Sequence, residues 1–218
     1  MPRMIVVAGP PGGGKSTVFP VDSFGVDAFN ADDRAAALNN GSYRGIPPAV
    51  RTSVNKEFEA FVEDHINTRR SFAFETTLRT DVTLRQAALA RTKGFTIAMN
   101  YLAMGSLEDH LERVAARAEG GGHAASSATL SRIYRASLSN LPHALRSLDT
   151  VGVFDNSAFG QRPRLVLECQ LGKVWYIANE VPEWLNGALR QTDYEITTVL
   201  RFEVGGRVSE RDRSDFDR

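Results

Sequence analysis

A chain of 218 residues has room for one domain around one core. Its 26 Lys+Arg balance its 26 Asp+Glu, a net charge of +0 that argues against a mainly electrostatic partner such as nucleic acid or a membrane surface. The single cysteine, Cys169, excludes an internal disulfide and any multi-cysteine metal site, and its place in the apolar run 165–171 reads as a buried strand.

The apolar start is too short for a signal peptide and no stretch has transmembrane length, so the chain reads as cytoplasmic. Residues 5–8 form a short β-branched run that enters a glycine-rich turn. Residues 26–29 predict a second strand, after which Asn30, Asp32 and Asp33 offer caps for a helix over 34–38. From Pro48 a longer helix places Val50, Val54, Phe58, Phe61, Val62, His65 and Ile66 on one face, and His65 reads there as half-buried packing. Residues 71–74 predict a strand ending at Glu75, followed by a helix over 82–91 that Gly94 stops. A strand over 95–102 and a helix from Ser106 to about Ala118 come next. Gly120, Gly121 and Gly122 interrupt, and helical spacing resumes at Leu130. A strand over 150–154 ends at Asp155.

This alternation predicts an α/β fold with a mainly parallel sheet and helices on both faces. The rhythm then changes. Residues 165–171 and 174–178 flank a turn and predict a C-terminal antiparallel hairpin, followed by a short helix from Pro182. Trp175, Tyr176 and Trp184 read as packing between hairpin and helix. The expected organisation is one domain over 1–204, with the hairpin and helix 163–190 packed on it and a disordered polar tail over 205–218.

Gly9, Pro10, Pro11, Gly12, Gly13, Gly14, Lys15 and Ser16 match the Walker A phosphate loop, with Thr17 next. Glycines let successive backbone N–H groups turn inward around phosphates, and the helix starting near Lys15 adds its positive end. Lys15 is expected to contact the β- and γ-phosphates of ATP and Ser16 to ligate Mg²⁺. In such sheets ligands sit beyond the carboxyl ends of the strands. Asp32, Glu75 and Asp155 each follow or end a predicted strand, so all three reach the rim that carries the loop. No guanine-reading sequence accompanies them.

With Asn30-Ala31-Asp32, the stretch Phe74-Glu75-Thr76-Thr77-Leu78-Arg79-Thr80-Asp81, and Arg113, Arg117 and Gly121-Gly122-His123 assembled, the chain resembles the zeta toxin family of P-loop kinases, in particular its shorter chromosomal branch. The resemblance covers about residues 4–157, and the Glu75–Asp81 stretch is its most specific part. It implies an ATP-dependent kinase acting on a hydroxyl of a nucleotide sugar, UDP-N-acetylglucosamine in the toxins of the family, with an antitoxin protein as the partner to look for. It assigns Asp32 as general base, with Asp33 the local rival, and Glu75, Thr76, Thr77 and Arg79 to the acceptor. It assigns Arg113 and Arg117 to a lid that neutralises charge on the transferring phosphoryl group. The second lid arginine of plasmid-type toxins has no direct counterpart here, and His123, Arg132 or Arg135 are the alternatives. A kinase of another metabolite (a nucleoside, a dinucleotide or an RNA end) and a non-catalytic nucleotide-binding protein remain the rival readings.

Overall fold

The computed structural model describes residues 1–119, 125–158 and 160–190. The glycine hinge at 120–122, His123 and the polar tail lie outside the described residues.

β1 (Arg3–Ala8) is buried from Met4 onward, and β3 (Phe72–Thr76) and β4 (Thr96–Ala103) lie parallel on its two sides. β2 (Asp27–Phe29) pairs parallel outside β3, and β5 (Thr150–Asp155) pairs parallel outside β4. β6 (Arg164–Gln170) and β7 (Lys173–Ile177) extend the sheet as the expected antiparallel ribbon, giving the order β2-β3-β1-β4-β5-β6-β7. The turn of the ribbon is Leu171-Gly172, with φ of 50° and 75°. Two consecutive positive φ values are what a type I′ turn requires, and they follow the right-handed twist of the paired strands.

The two faces of the sheet are covered unequally. Alternate residues of β1 (Met4, Val6, Ala8) face the larger cluster, which takes its helical side chains from α3 (Pro48–Thr68), α4 (Val82–Thr92), α6 (Ser127–Ser147) and α7 (Glu183–Arg190). Ile5 and Val7 face the other way, toward Val21 and the partly buried Phe19 and Phe24. Those residues follow α1 (Lys15–Val18) and lie in or beside the 3₁₀ turn Val21–Phe24. The long α3 begins with Pro48 in its first turn, where a missing N–H is harmless, and ends at Arg69 with φ of 55°. Phe72 and Phe74, fully buried on β3, meet Phe61 and Phe58 of that helix with ring centroids 5.9 and 5.1 Å apart. Burying a side chain of this size contributes roughly 1.5–3 kcal/mol, so these pairs anchor α3 to the sheet.

Two expectations need correction. His65 is not half-buried but 4% exposed; its Nδ1 lies 2.7 Å from the Phe61 carbonyl and its Nε2 3.0 Å from Asp27 Oδ2. Burial of a polar ring is tolerated because both nitrogens find acceptors. Trp175 and Tyr176 do not pack against the helix: they are 69% and 39% exposed. β7 is the last of the described strands in the sheet order. Trp184 alone behaves as expected, buried against Tyr101, with its indole N–H donating to Asp155 Oδ1 at 3.1 Å. Cys169 is buried. Among the described residues no helix is long and apolar enough to cross a membrane.

Candidate active site

Strand register brings the candidate residues to one rim. Val7 and Ala8 lie beside Glu75 and Thr76, Ala103 lies beside Asp155, and Phe29 lies beside Phe74. The phosphate loop leaves β1, Glu75 and Thr76 end β3, and Asp32 follows β2, all at the carboxyl end of the sheet.

The loop is packed tightly enough to need its glycines. A Cβ at Gly9, where φ is 138°, would lie 2.0 Å from the Leu102 carbonyl oxygen, and one at Gly14, where φ is 89°, would lie 2.6 Å from Asn156 Nδ2. The helix that follows is shorter than expected. α1 is four residues long, so its dipole is that of a single turn. A phosphate held here would depend on the loop N–H groups and on Lys15 more than on a helix end. Lys15 is 7% exposed; its Nζ donates to the Pro10 carbonyl at 3.1 Å and stands 3.5 Å from Glu75 Oε1. The Ser16 hydroxyl donates to the other oxygen, Glu75 Oε2, at 2.7 Å. One carboxylate thus joins the lysine and the serine of the loop. Ser16 and Glu75 together present hard oxygen donors of the kind Mg²⁺ takes, with most of its coordination left to phosphate and water.

Beyond β3 the chain makes an unusual turn. Leu78 has φ of 52°, a left-handed conformation rare for a leucine, yet its side chain is fully buried. Its N–H donates to Thr76 Oγ1 at 3.2 Å, and its carbonyl accepts from Asn140 Nδ2 at 2.9 Å. These three anchors fix the turn between Thr77, which is partly buried, and Arg79, which is exposed and forms no salt bridge among the described residues.

Asp32 is not a helix cap. Asn30 caps α2 (Ala31–Leu38), its side-chain oxygen accepting from the N–H groups of Asp32 and Asp33 at 3.0 and 3.4 Å. The Asp32 carboxylate is therefore released from backbone duty. It is 61% exposed, and its Oδ1 lies 3.7 Å from Arg51 Nη1. Its rival Asp33 accepts the Tyr43 hydroxyl at 2.7 Å.

The arginines expected to form a lid divide. Arg113, in α5 (Leu107–Glu119), is partly buried and donates from Nη2 to the Asn156 carbonyl at 3.1 Å; it forms no salt bridge among the described residues. Asn156 in turn donates to the Gly13 carbonyl at 2.9 Å, so Arg113 is one residue removed from the phosphate loop. Arg117 lies in the same helix, but its side chain is outside the described part. Arg132 and Arg135 are exposed on α6.

The sequence reading assigned His110 no role, yet it is built into the loop. It is 2% exposed, its Nδ1 lies 2.7 Å from the Pro11 carbonyl, and Met104 N–H donates to its Nε2 at 3.2 Å. That pair of contacts requires a neutral ring protonated at Nδ1. Desolvation holds the His110 pKa below its ordinary value, against the opposing pull of the Pro11 carbonyl, and the Lys15 charge lowers it further. The only local signal is that His110 and Val114 share a helix face one turn apart, and both touch the Gly12 position. A group whose pKa is depressed on folding contributes stability above its unfolded pKa, about 6.5 for histidine, and loses it as the pH falls from there toward the folded value. The wild-type protein is expected to lose thermal stability as the pH drops below about 6.5. His110→Ala should start lower and lack that component, which melting curves from pH 5 to 8 will read.

Comparison with solved structures supports the same fold. A chain of the AvrRxo1-ORF1:AvrRxo1-ORF2 complex superposes with a TM-score of 0.65 at 18% identity, over 86% of this chain and 63% of that one. The same complex with ATP gives 0.62 at 17% identity, over 82% and 61%. A chain of the PezAT chromosomal toxin–antitoxin system of Streptococcus pneumoniae gives 0.55 at 16%, over 94% and 84%. The chain shares with these structures a mainly parallel sheet with helices on both faces. The chain spans about three fifths of the AvrRxo1 chains it matches (63% and 61%). No protein-family profile and no curated protein sequence matches it.

Proposed function

We propose that this protein is an ATP-dependent small-molecule kinase whose acceptor is a hydroxyl of a nucleotide-sugar-type metabolite. One observation carries the reading: Lys15, Ser16 and Glu75 are joined at the mouth of the phosphate loop, on the rim where Asp32 stands free of capping. An exposed carboxylate on that rim is placed to meet an acceptor hydroxyl, which a protein that only binds nucleotide does not require.

In this reading the N–H groups of the loop from Gly12 onward surround the phosphates of ATP, and Lys15 holds the β/γ-bridging region. Asp32 accepts the proton of the acceptor hydroxyl; its oxygen bonds to the γ-phosphorus as the bond to the bridging oxygen breaks, and ADP leaves. Phosphoryl transfer asks mainly for orientation, so a weak base suffices. Ser16 and Glu75 would hold Mg²⁺, which when bound neutralises charge on the phosphates. Thr76, Thr77 and Arg79, on the turn fixed by Leu78, would meet the acceptor. Arg113, and Arg117 with it, would bring positive charge to the transferring group.

The fold shared with a chain crystallised with ATP supports the nucleotide. The PezAT likeness and the zeta-type Glu75–Asp81 stretch support the acceptor class and an antitoxin as partner. The test is to incubate the protein with ATP and Mg²⁺ in a metabolite extract and seek, by mass spectrometry, a species that gains one phosphate. A nucleotide sugar is the expected species. No such species, together with tight ATP binding, would turn the reading to a nucleotide-binding interaction protein.

A further inference from the structure

Arg51 lies in the first turn of α3, beside Asp32, and no motif singled it out. Its guanidinium is divided. Nη1 stands 3.7 Å from Asp32 Oδ1, the far limit of an ion pair, whereas Nη2 is buried and has no hydrogen-bond partner among the described residues. A desolvated charged donor left unmet is costly, and folded proteins rarely keep one without a use. The neighbouring charges are better satisfied. Arg34 is closed by Glu57 at 2.6 Å, and Asp33 by the Tyr43 hydroxyl at 2.7 Å. Arg51 alone among these holds a loose partner on one side and nothing on the other.

A guanidinium is planar and offers paired donors that match the two oxygens of a carboxylate or phosphate. About a third of the Arg51 side chain is exposed, and so is most of Asp32 (35% and 61%), so the buried Nη2 lies on a side chain that is itself partly at the surface beside the carboxylate. We propose that Arg51 binds an oxyanion of the phosphoryl acceptor, a phosphate or carboxylate adjacent to the hydroxyl that meets Asp32. Arrival of the oxyanion turns the guanidinium outward and gives Nη2 the acceptor it lacks. Arg51 thereby becomes the residue that reads the acceptor's negative charge, and neutral sugars are disfavoured because they leave the donor unmet. This inference rests on the kinase reading above.

The experiment compares wild type, Arg51→Gln and Arg51→Lys. Each is supplied with ATP-Mg²⁺ and, in parallel, UDP-N-acetylglucosamine, gluconate, neutral N-acetylglucosamine or a metabolite extract. ADP release and phosphate-gaining species are followed. The expected wild-type acceptor carries a phosphate or carboxylate before transfer. With Arg51→Gln its KM rises at least about tenfold, equivalent to about 1.4 kcal/mol. The KM for ATP is unchanged, and Arg51→Lys falls between. UDP-N-acetylglucosamine against gluconate identifies which oxyanion is read. An unchanged acceptor KM in Arg51→Gln, or a neutral wild-type acceptor, overturns the inference while leaving the kinase reading in place. A fall in kcat alone, equal for charged and neutral acceptors, overturns it in favour of a role through Asp32. A wild type that phosphorylates nothing removes the kinase reading and this inference together. Melting curves of both variants exclude misfolding as the cause.

Discussion

Lys15→Ala is expected to lower kcat by at least about 10²–10³-fold while the protein stays folded, the range seen when one preorganised donor is removed from a charged transition state. The side chain sits in a slot 7% exposed, between the Pro10 carbonyl and Glu75. Stripping one partner from a buried ion pair costs about 3–5 kcal/mol when the other charge is left alone. Here Glu75 keeps the Ser16 hydroxyl at 2.7 Å, so the loss of stability should fall below that range. Lys15→Arg should be nearly as inactive, because a planar fork does not fit a slot shaped for a compact ammonium group. Kinetics and denaturant titrations of both variants read the two effects apart. Wild-type turnover in Lys15→Ala would remove the phosphate loop from the chemistry. Collapse of the fold in Lys15→Ala would make the lysine structural.

What was legible in the sequence was local in the chain. The phosphate loop and the strand before it each lie within a few residues, where backbone preference is strong; the ribbon was legible too, but with its turn read at Gly172-Lys173, one residue beyond the observed Leu171-Gly172. Glu75 was legible as the end of a strand, and register then set it beside Val7. The supports of the loop were not legible. His110 reaches Pro11 and Asn156 reaches Gly13 across 99 and 143 residues, and neither contact is readable from local sequence, although Asn156 lies in the Asp155-Asn156-Ser157 stretch that resembles the chromosomal branch. The capping of α2 was left open for another reason. Asn30, Asp32 and Asp33 are all good caps, and the helix starts at Ala31 rather than at 34, which makes Asn30 the cap. Trp175 and Tyr176 look like core residues by composition, but exposure depends on which strand ends the sheet, and that is a property of topology.

Asp32→Asn should leave ATP binding intact and lower kcat by about 10²–10⁴-fold, the range for loss of a general base. The substitution keeps size and shape and removes only proton acceptance. The geometry makes this a clean test. Asn30 holds the cap, so Asp32→Asn breaks no backbone hydrogen bond. The lost charge in the first turn of α2 alters stability by only about 0.3–1 kcal/mol. Asn30→Ala is the complementary control, expected to lower stability by about 1 kcal/mol with less effect on rate. Asp33→Asn separates the two carboxylates. Its partner is the Tyr43 hydroxyl, which an amide oxygen still accepts, so both fold and rate should change little. If Asp33→Asn abolishes turnover and Asp32→Asn does not, the base is Asp33 and Tyr43 is the group that positions it. If neither matters, the hydroxyl loses its proton without help from α2, and Arg51 would have to be reconsidered as a group that acts on the γ-phosphate itself.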